Sequence, residues 1–137
     1  MGAGRVMDKA QALHNFWSGF GIPAFDETSV PDEQDRADLY GDAFPYITYT
    51  VATDSFEAPV TLNASLWYKS NSWADISKKT EEIAQKIEEA YPITTEIDNG
   101  RIFITKGRPF AQRMEEPNDD NVRRMYLTIS VEYLTRW

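Results

Sequence analysis

The chain has 137 residues, a length that suits one domain and is short for two. Its 42% hydrophobic and 26% charged residues fall in the globular range, and the absence of cysteine excludes disulfides, thiolate catalysis and cysteine-based zinc sites. A formal net charge of −8 disfavours binding to DNA phosphates or anionic membrane, and no apolar run reaches the ~20 residues of a membrane-spanning helix.

Residues 1–7 read as a disordered start or an artificial leader, with Met7 as a second possible start. One α+β domain is expected over 8–137. Its first helix begins at Asp8, a good N-cap, and carries Ala10, Leu13, Trp17 and Phe20 on one face. Gly19, Gly21 and Pro23 end it. Residues 22–45 then read as a long acidic loop, with Asp26, Glu27, Asp32, Glu33, Asp35, Asp38 and Asp42. Loops this long are either solvated excursions or functional.

Period-two alternation follows. Residues 45–51 set Tyr46, Thr48 and Thr50 against Ile47, Tyr49 and Val51. Residues 60–69 set Val60, Leu62, Ala64, Leu66 and Tyr68 against Thr61, Asn63, Ser65, Trp67 and Lys69. The short link 52–59 makes these strands an antiparallel hairpin. A second helix starts near Ser72, with Asp75 completing a capping-box-like start. Ile76, Ile83, Ala84 and Ile87 form its apolar face, Glu82 and Lys86 its exposed pair, and Tyr91-Pro92 closes it.

Strands at 94–97 and 101–105 flank Asp98-Asn99-Gly100, a type I′ hairpin signal. Residues 106–121 read as a second long polar segment. The last strand, 122–134, places Met125, Leu127, Ile129, Val131 and Tyr133 on one face and Arg124, Tyr126, Thr128, Ser130 and Glu132 on the other. The expected architecture is an antiparallel or mixed sheet with two helices packed on one face, in the order α-β-β-α-β-β-β.

Nothing in this pattern assembles a reaction centre, and the chain is expected not to be an enzyme. His14 is the single histidine, so triads and histidine metal sites lack material. Carboxylates are plentiful but cluster in loops. Asn118-Asp119-Asp120-Asn121 lacks the EF-hand spacing and glycine, and Gly19-Phe20-Gly21 follows a helix instead of opening one. No catalytic, cofactor or metal residues are assigned.

Interaction is the other use for unusual residues. Aromatic content is 13%, more than a small core needs. Trp67 and Tyr126 lie on polar strand faces, where a tryptophan either sits under a loop or anchors a partner. Arg101, Arg108, Arg113, Arg123 and Arg124 gather in the C-terminal third, whereas acids dominate before Pro45. That separation suits head-to-tail association, or it is ordinary scattered surface charge. Trp67, Arg108, Phe110, Arg113, Met114, Arg124 and Tyr126 are therefore the candidate subunit or partner interface.

Several stretches are also familiar as a set. They are Ala12-Leu13-His14-Asn15-Phe16-Trp17-Ser18-Gly19-Phe20-Gly21-Ile22-Pro23-Ala24-Phe25, Pro45-Tyr46-Ile47-Thr48-Tyr49, Ser65-Leu66-Trp67-Tyr68 with Ser72-Trp73-Ala74, Arg108-Pro109-Phe110-Ala111-Gln112-Arg113, and residues 123–134. Together they resemble the tail-terminator (tail-completion, head–tail joining) proteins of siphophages and prophages of Firmicutes. The acidic stretch 32–44 is longer than that group's pattern.

The resemblance implies an antiparallel sheet flanked by helices and a hexameric ring seated on the last ring of tail-tube protein. Such a ring stops tube growth and presents a surface to the head's connector proteins. It implies a location in the tail or neck of the virion, with assembly in the host cytoplasm. DNA would pass the lumen without specific binding, and neither membrane nor cofactor is involved. Residues 106–121 would be an arm reaching a neighbour. Another neck or head-completion adaptor is the nearest alternative, and a small-molecule-binding domain with its pocket at the helix–sheet seam is a further one.

Overall fold

The computed structural model describes residues 8–51, 59–90, 93–98, 100–117 and 119–135. The expected start at 1–7 and the Tyr91-Pro92 stop lie outside them, as does most of the 52–59 link. Helix α1 (Lys9–Ser18) begins where Asp8, in extended backbone, accepts a hydrogen bond from the Gln11 amide at 2.8 Å. It buries Ala12, Leu13 and Trp17, and Phe20 follows them into the core. Ala10 is exposed, because the covered stripe is rotated toward Ala12 and the half-buried Phe16.

The acidic stretch is not a bare loop. Gly21 turns the chain at φ 86°, in the left-handed region that favours glycine. The chain then enters strand β1 (Ala24–Asp26), which pairs parallel with strand β2 (Tyr46–Tyr49) in the register Ala24 to Ile47. Between them lies helix α2 (Glu33–Tyr40). Asp32 caps it by accepting from the Asp35 amide at 2.9 Å, and Gly41 ends it at φ 87°. Three residues are too few to show period two, and α2 has no apolar stripe, so neither element was expected.

Strand β3 (Val60–Lys69) pairs antiparallel with β2, as the hairpin reading required. Helix α3 (Ala74–Glu89) buries Ile76, Thr80, Ile83 and Ile87. Ser72 does not cap it. Its hydroxyl accepts from the Ala74 amide at 3.0 Å, a tight turn ahead of the helix, and Trp73 holds the cap position with no side-chain bond. Lys79 and Lys86 both reach Glu82, at 2.8 and 3.7 Å, on an exposed face where such pairs contribute little.

Strands β4 (Ile93–Ile97) and β5 (Gly100–Met114) form the expected hairpin with Ile97 opposite Gly100; Asn99 lies outside the described residues, so the turn type is not assigned. Strand β6 (Val122–Thr135) pairs antiparallel with both β3 and β5. The sheet is mixed, ordered β1-β2-β3-β6-β5-β4. Among the described residues, three helices and six strands replace the expected α-β-β-α-β-β-β order. The second correction concerns residues 106–121. They are not a free arm, because β5 continues through Met114 on the same β6 partner.

One interruption breaks that pairing. Lys106 stands opposite Ile129 and Ala111 opposite Leu127, so residues 107–110 share the single partner Thr128. Such a bulge tolerates Pro109, which has no amide to give a ladder. Gly107 lies so close to Thr128 that an added Cβ would come within 2.5 Å of its Cγ2 and 3.0 Å of its carbonyl oxygen. The core unites Leu13 and Trp17 of α1 with Ile76, Ile83 and Ile87 of α3 and with Ile47, Leu62, Leu66, Ile102, Ile104, Leu127, Ile129 and Val131 of the sheet. Helix α2 adds nothing to it.

Candidate functional site

Alternation puts the other side chains of β2, β3 and β6 on the opposite sheet face, and there they form a continuous row. Tyr46 pairs with Trp67, Trp67 with Arg124, and Arg124 with Met114 across four strands. The Tyr46 and Trp67 rings stack at 5.9 Å and 8°. The Arg124 guanidinium lies 4.9 Å from the Trp67 ring and 5.9 Å from that of Tyr126. Its Nε donates to Ser65 Oγ at 2.9 Å, and Nη1 meets Glu116 at 3.6 Å. Trp67 is half-buried and donates from Nε1 to Thr48 Oγ1 at 3.0 Å. Of the two roles its strand position allows, lying under a segment or anchoring a partner, its hydrogen bond and its Tyr46 and Arg124 contacts fit the first.

The cover comes from α2. Arg36, the one buried residue of α2, places its guanidinium 4.0 Å from the Tyr46 ring and 5.4 Å from that of Phe44. Its Nη1 donates to the Pro31 carbonyl at 2.7 Å and its Nε to the Ala43 carbonyl at 3.0 Å. Both ends of the acidic segment are thus tied to one cation. Burial pushes the Tyr46 phenol above its ordinary value, and Arg36 pulls it partly back.

Replacing Arg36 by alanine is expected to destabilise the protein by about 2 kcal/mol, from two charge-assisted bonds and a stacked cation less the solvation regained. Lysine should recover little, since it cannot fork to two carbonyls. Amide exchange should accelerate over 31–44 while β6 stays protected. Unchanged exchange there would mean that Arg36 does not hold the segment.

The remaining candidates fall elsewhere. Arg113 is exposed on the helix side, 4.9 Å from the Trp73 ring, whose other cationic neighbour is Arg123 at 5.4 Å. Arg108 and Phe110 occupy the β5 bulge. With Lys106, Gly107 and Pro109 they line an open cleft of about 740 Å³, floored by Ile87 and walled by Thr61 and Ser130. Lys106 is paired with Glu88, whereas Arg108 is exposed and makes no ion pair among the described residues. The seven candidates thus form two groups, Trp67, Met114, Arg124 and Tyr126 on the outer face and Arg108 with Phe110 at the bulge, and Arg113 stands apart. Sequence reasoning missed Arg36, Tyr46 and Trp73. The single arginine within the acidic run was the available signal for the first.

His14 is also accounted for. Its Nδ1 lies 2.8 Å from the Tyr49 hydroxyl in a half-buried contact between α1 and β2.

These elements define an α+β domain whose mixed six-stranded sheet carries a cation–aromatic outer face and a bulged β5. The fold is similar to that of a chain in a solved structure described as the virion of a native gene transfer agent particle, with 16% identity and a TM-score of 0.50 over 85% of this chain and 81% of that one. No family model and no curated protein sequence matches the chain.

Proposed function

We propose that this chain is a structural component of a phage-type particle, a tail terminator that caps the tail tube. The observation carrying the reading is the fold shared, over most of both chains, with a component of a gene transfer agent virion. The resemblance of residues 12–25, 45–49, 65–68, 72–74, 108–113 and 123–134 to tail terminators points the same way. The chain acts by assembly and not by catalysis. Copies form a hexameric ring on the last ring of tube protein, stop its growth and offer the outer rim to the connector proteins. The ring belongs to the tail or neck of the virion and forms in the host cytoplasm.

The charge balance fits a lumen through which DNA slides. At −8 per copy the ring repels phosphate and gives the duplex no place to lodge. The test is to add purified chain to the polymerising tail-tube protein encoded beside it and to measure tube lengths by electron microscopy. Tubes should stop short, with extra density at one end. Tubes of unaltered length and bare ends would overturn the reading.

A further inference from the structure

Helix α2 faces the wrong way for a helix that merely covers a sheet. Its one buried residue is Arg36, and Tyr40 rests a ring edge on Phe25 of β1 at 5.5 Å, yet Leu39 and Tyr40 still stand 68% and 51% exposed. They are two of the three large apolar side chains exposed among the described residues. Asp35, Asp38 and Asp42 surround them in sequence, all exposed and without an ion pair among the described residues. On the α2 surface this makes an apolar knob with an acidic rim.

The complement lies on the same chain. The cleft at the β5 bulge sets Pro109 and Phe110 over the buried Ile87, Lys106 holds the lining carboxylate of Glu88, and Arg108 is an exposed cation without an ion pair among the described residues. Its volume of about 740 Å³ is in the range that holds a bulky guest. Knob and cleft cannot meet within one copy. Helix α2 rides on Tyr46 of β2, and β5 lies three strands further across the sheet, about 14 Å at the usual strand spacing.

We propose that copies of this chain associate head to tail, with Leu39 and Tyr40 of one seated in the β5 cleft of the next. Asp35, Asp38 and Asp42 then face Arg108. Because the two patches differ, each copy offers one knob and one cleft, and repetition closes a ring or extends a filament. The inference rests on the ring reading above and supplies its contact. It also gives the long acidic segment a task, holding the knob at a fixed height by means of Arg36. Charge at the rim sets the encounter rate and the salt sensitivity, and the apolar pair sets the lifetime.

Two exposed substitutions separate the halves of the contact. Leu39→Glu spoils the knob and leaves the cleft, and Arg108→Glu spoils the cleft and leaves the knob. Self-association of the full chain is followed by sedimentation up to about 1 mM, the weak end of specific binding. The wild-type chain should form species larger than a dimer, and each variant should weaken that association at least ~10-fold, the loss expected of a central contact. Unchanged melting temperatures would show that both variants fold.

An equal mixture of the two variants should give a dimer and stop there, since one good knob meets one good cleft. Assembly by either variant at wild-type strength would overturn the contact while leaving a ring held by other surfaces. A wild-type chain that stays monomeric would also overturn it, and the tube-capping assay would still judge the functional reading separately.

Discussion

Trp17→Ala should lower the unfolding free energy by about 3–5 kcal/mol, read as a fall in the urea midpoint at unchanged slope. Trp17 is fully buried at the seam between α1 and the sheet. Phe16 and Phe20 meet its ring edge-on or tilted, at 4.8 and 6.3 Å. Truncation empties the site that these rings enclose, and a helix of ten residues has no other large anchor except Leu13. Trp17→Phe should cost far less, about 1 kcal/mol. The indole Nε1 is buried without a hydrogen-bond partner among the described residues, so removing that donor relieves a desolvated group and offsets part of the lost packing. If phenylalanine costs as much as alanine, the indole nitrogen has a partner in solution. If alanine costs under about 1 kcal/mol, α1 does not dock as described.

The same seam shows why some elements were readable. Leu13 and Trp17, Ile83 and Ile87, and the alternation from Met125 to Tyr133 repeat at fixed spacings long enough to declare both period and face. Five successive inward positions of β6 are all buried, as its pattern required. Helix α2 has no such stripe, because its packing rests on one arginine whose partners are backbone carbonyls and a tyrosine ring. Its ends were nevertheless written in the chain. Asp32 precedes Asp35 by three residues, and Gly41 follows Tyr40. Capping residues without apolar periodicity do not by themselves declare a helix.

Strand β5 failed to show itself for a different reason. Gly107-Arg108-Pro109 looks like the end of a strand, and locally it is, since residues 107–110 leave the ladder. Pairing then resumes at Ala111 because Leu127, Tyr126 and Met125 continue on the partner strand. A single strand's sequence cannot reveal a resumption that its neighbour imposes. The candidate interface suffered likewise. Parity placed Trp67, Arg124 and Tyr126 on one face correctly, but parity does not say whether a face is open, and the segment carrying Arg36 closes part of it. Leu39 and Tyr40 give no signal in the sequence, because two apolar residues in an acidic run show no period.

Alkaline lability is the second large effect expected. Burial pushes the Tyr133 phenol from its ordinary value of 10 up to about 12. In the unfolded chain the same phenol ionises near 10. Below that pH both states are neutral there, and stability does not depend on this group. Between about 10 and 12 the unfolded state gives up the proton and the folded state keeps it, so stability falls by about 1.4 kcal/mol per pH unit. Above the folded value the loss levels off near 3 kcal/mol.

Tyr46, Tyr49 and Tyr68 are raised as well, each by burial first, and shift in the same sense. The carboxylates of Asp26 beside Tyr49 and of Asp75 and Glu82 near Tyr68 add to the effect. The urea midpoint should therefore drop steeply from pH 10 upward, and Tyr133→Phe should flatten the slope. Lysines titrate in the same range, but Lys69, Lys79 and Lys86 pair with exposed carboxylates, where an ion pair contributes little. A midpoint that stays level across this window would mean that Tyr133 reaches water in solution. Since Tyr133 packs with Ile102 and Val131 beneath α1, the seam that Trp17 anchors would then be open too, and the alanine effect should shrink with it.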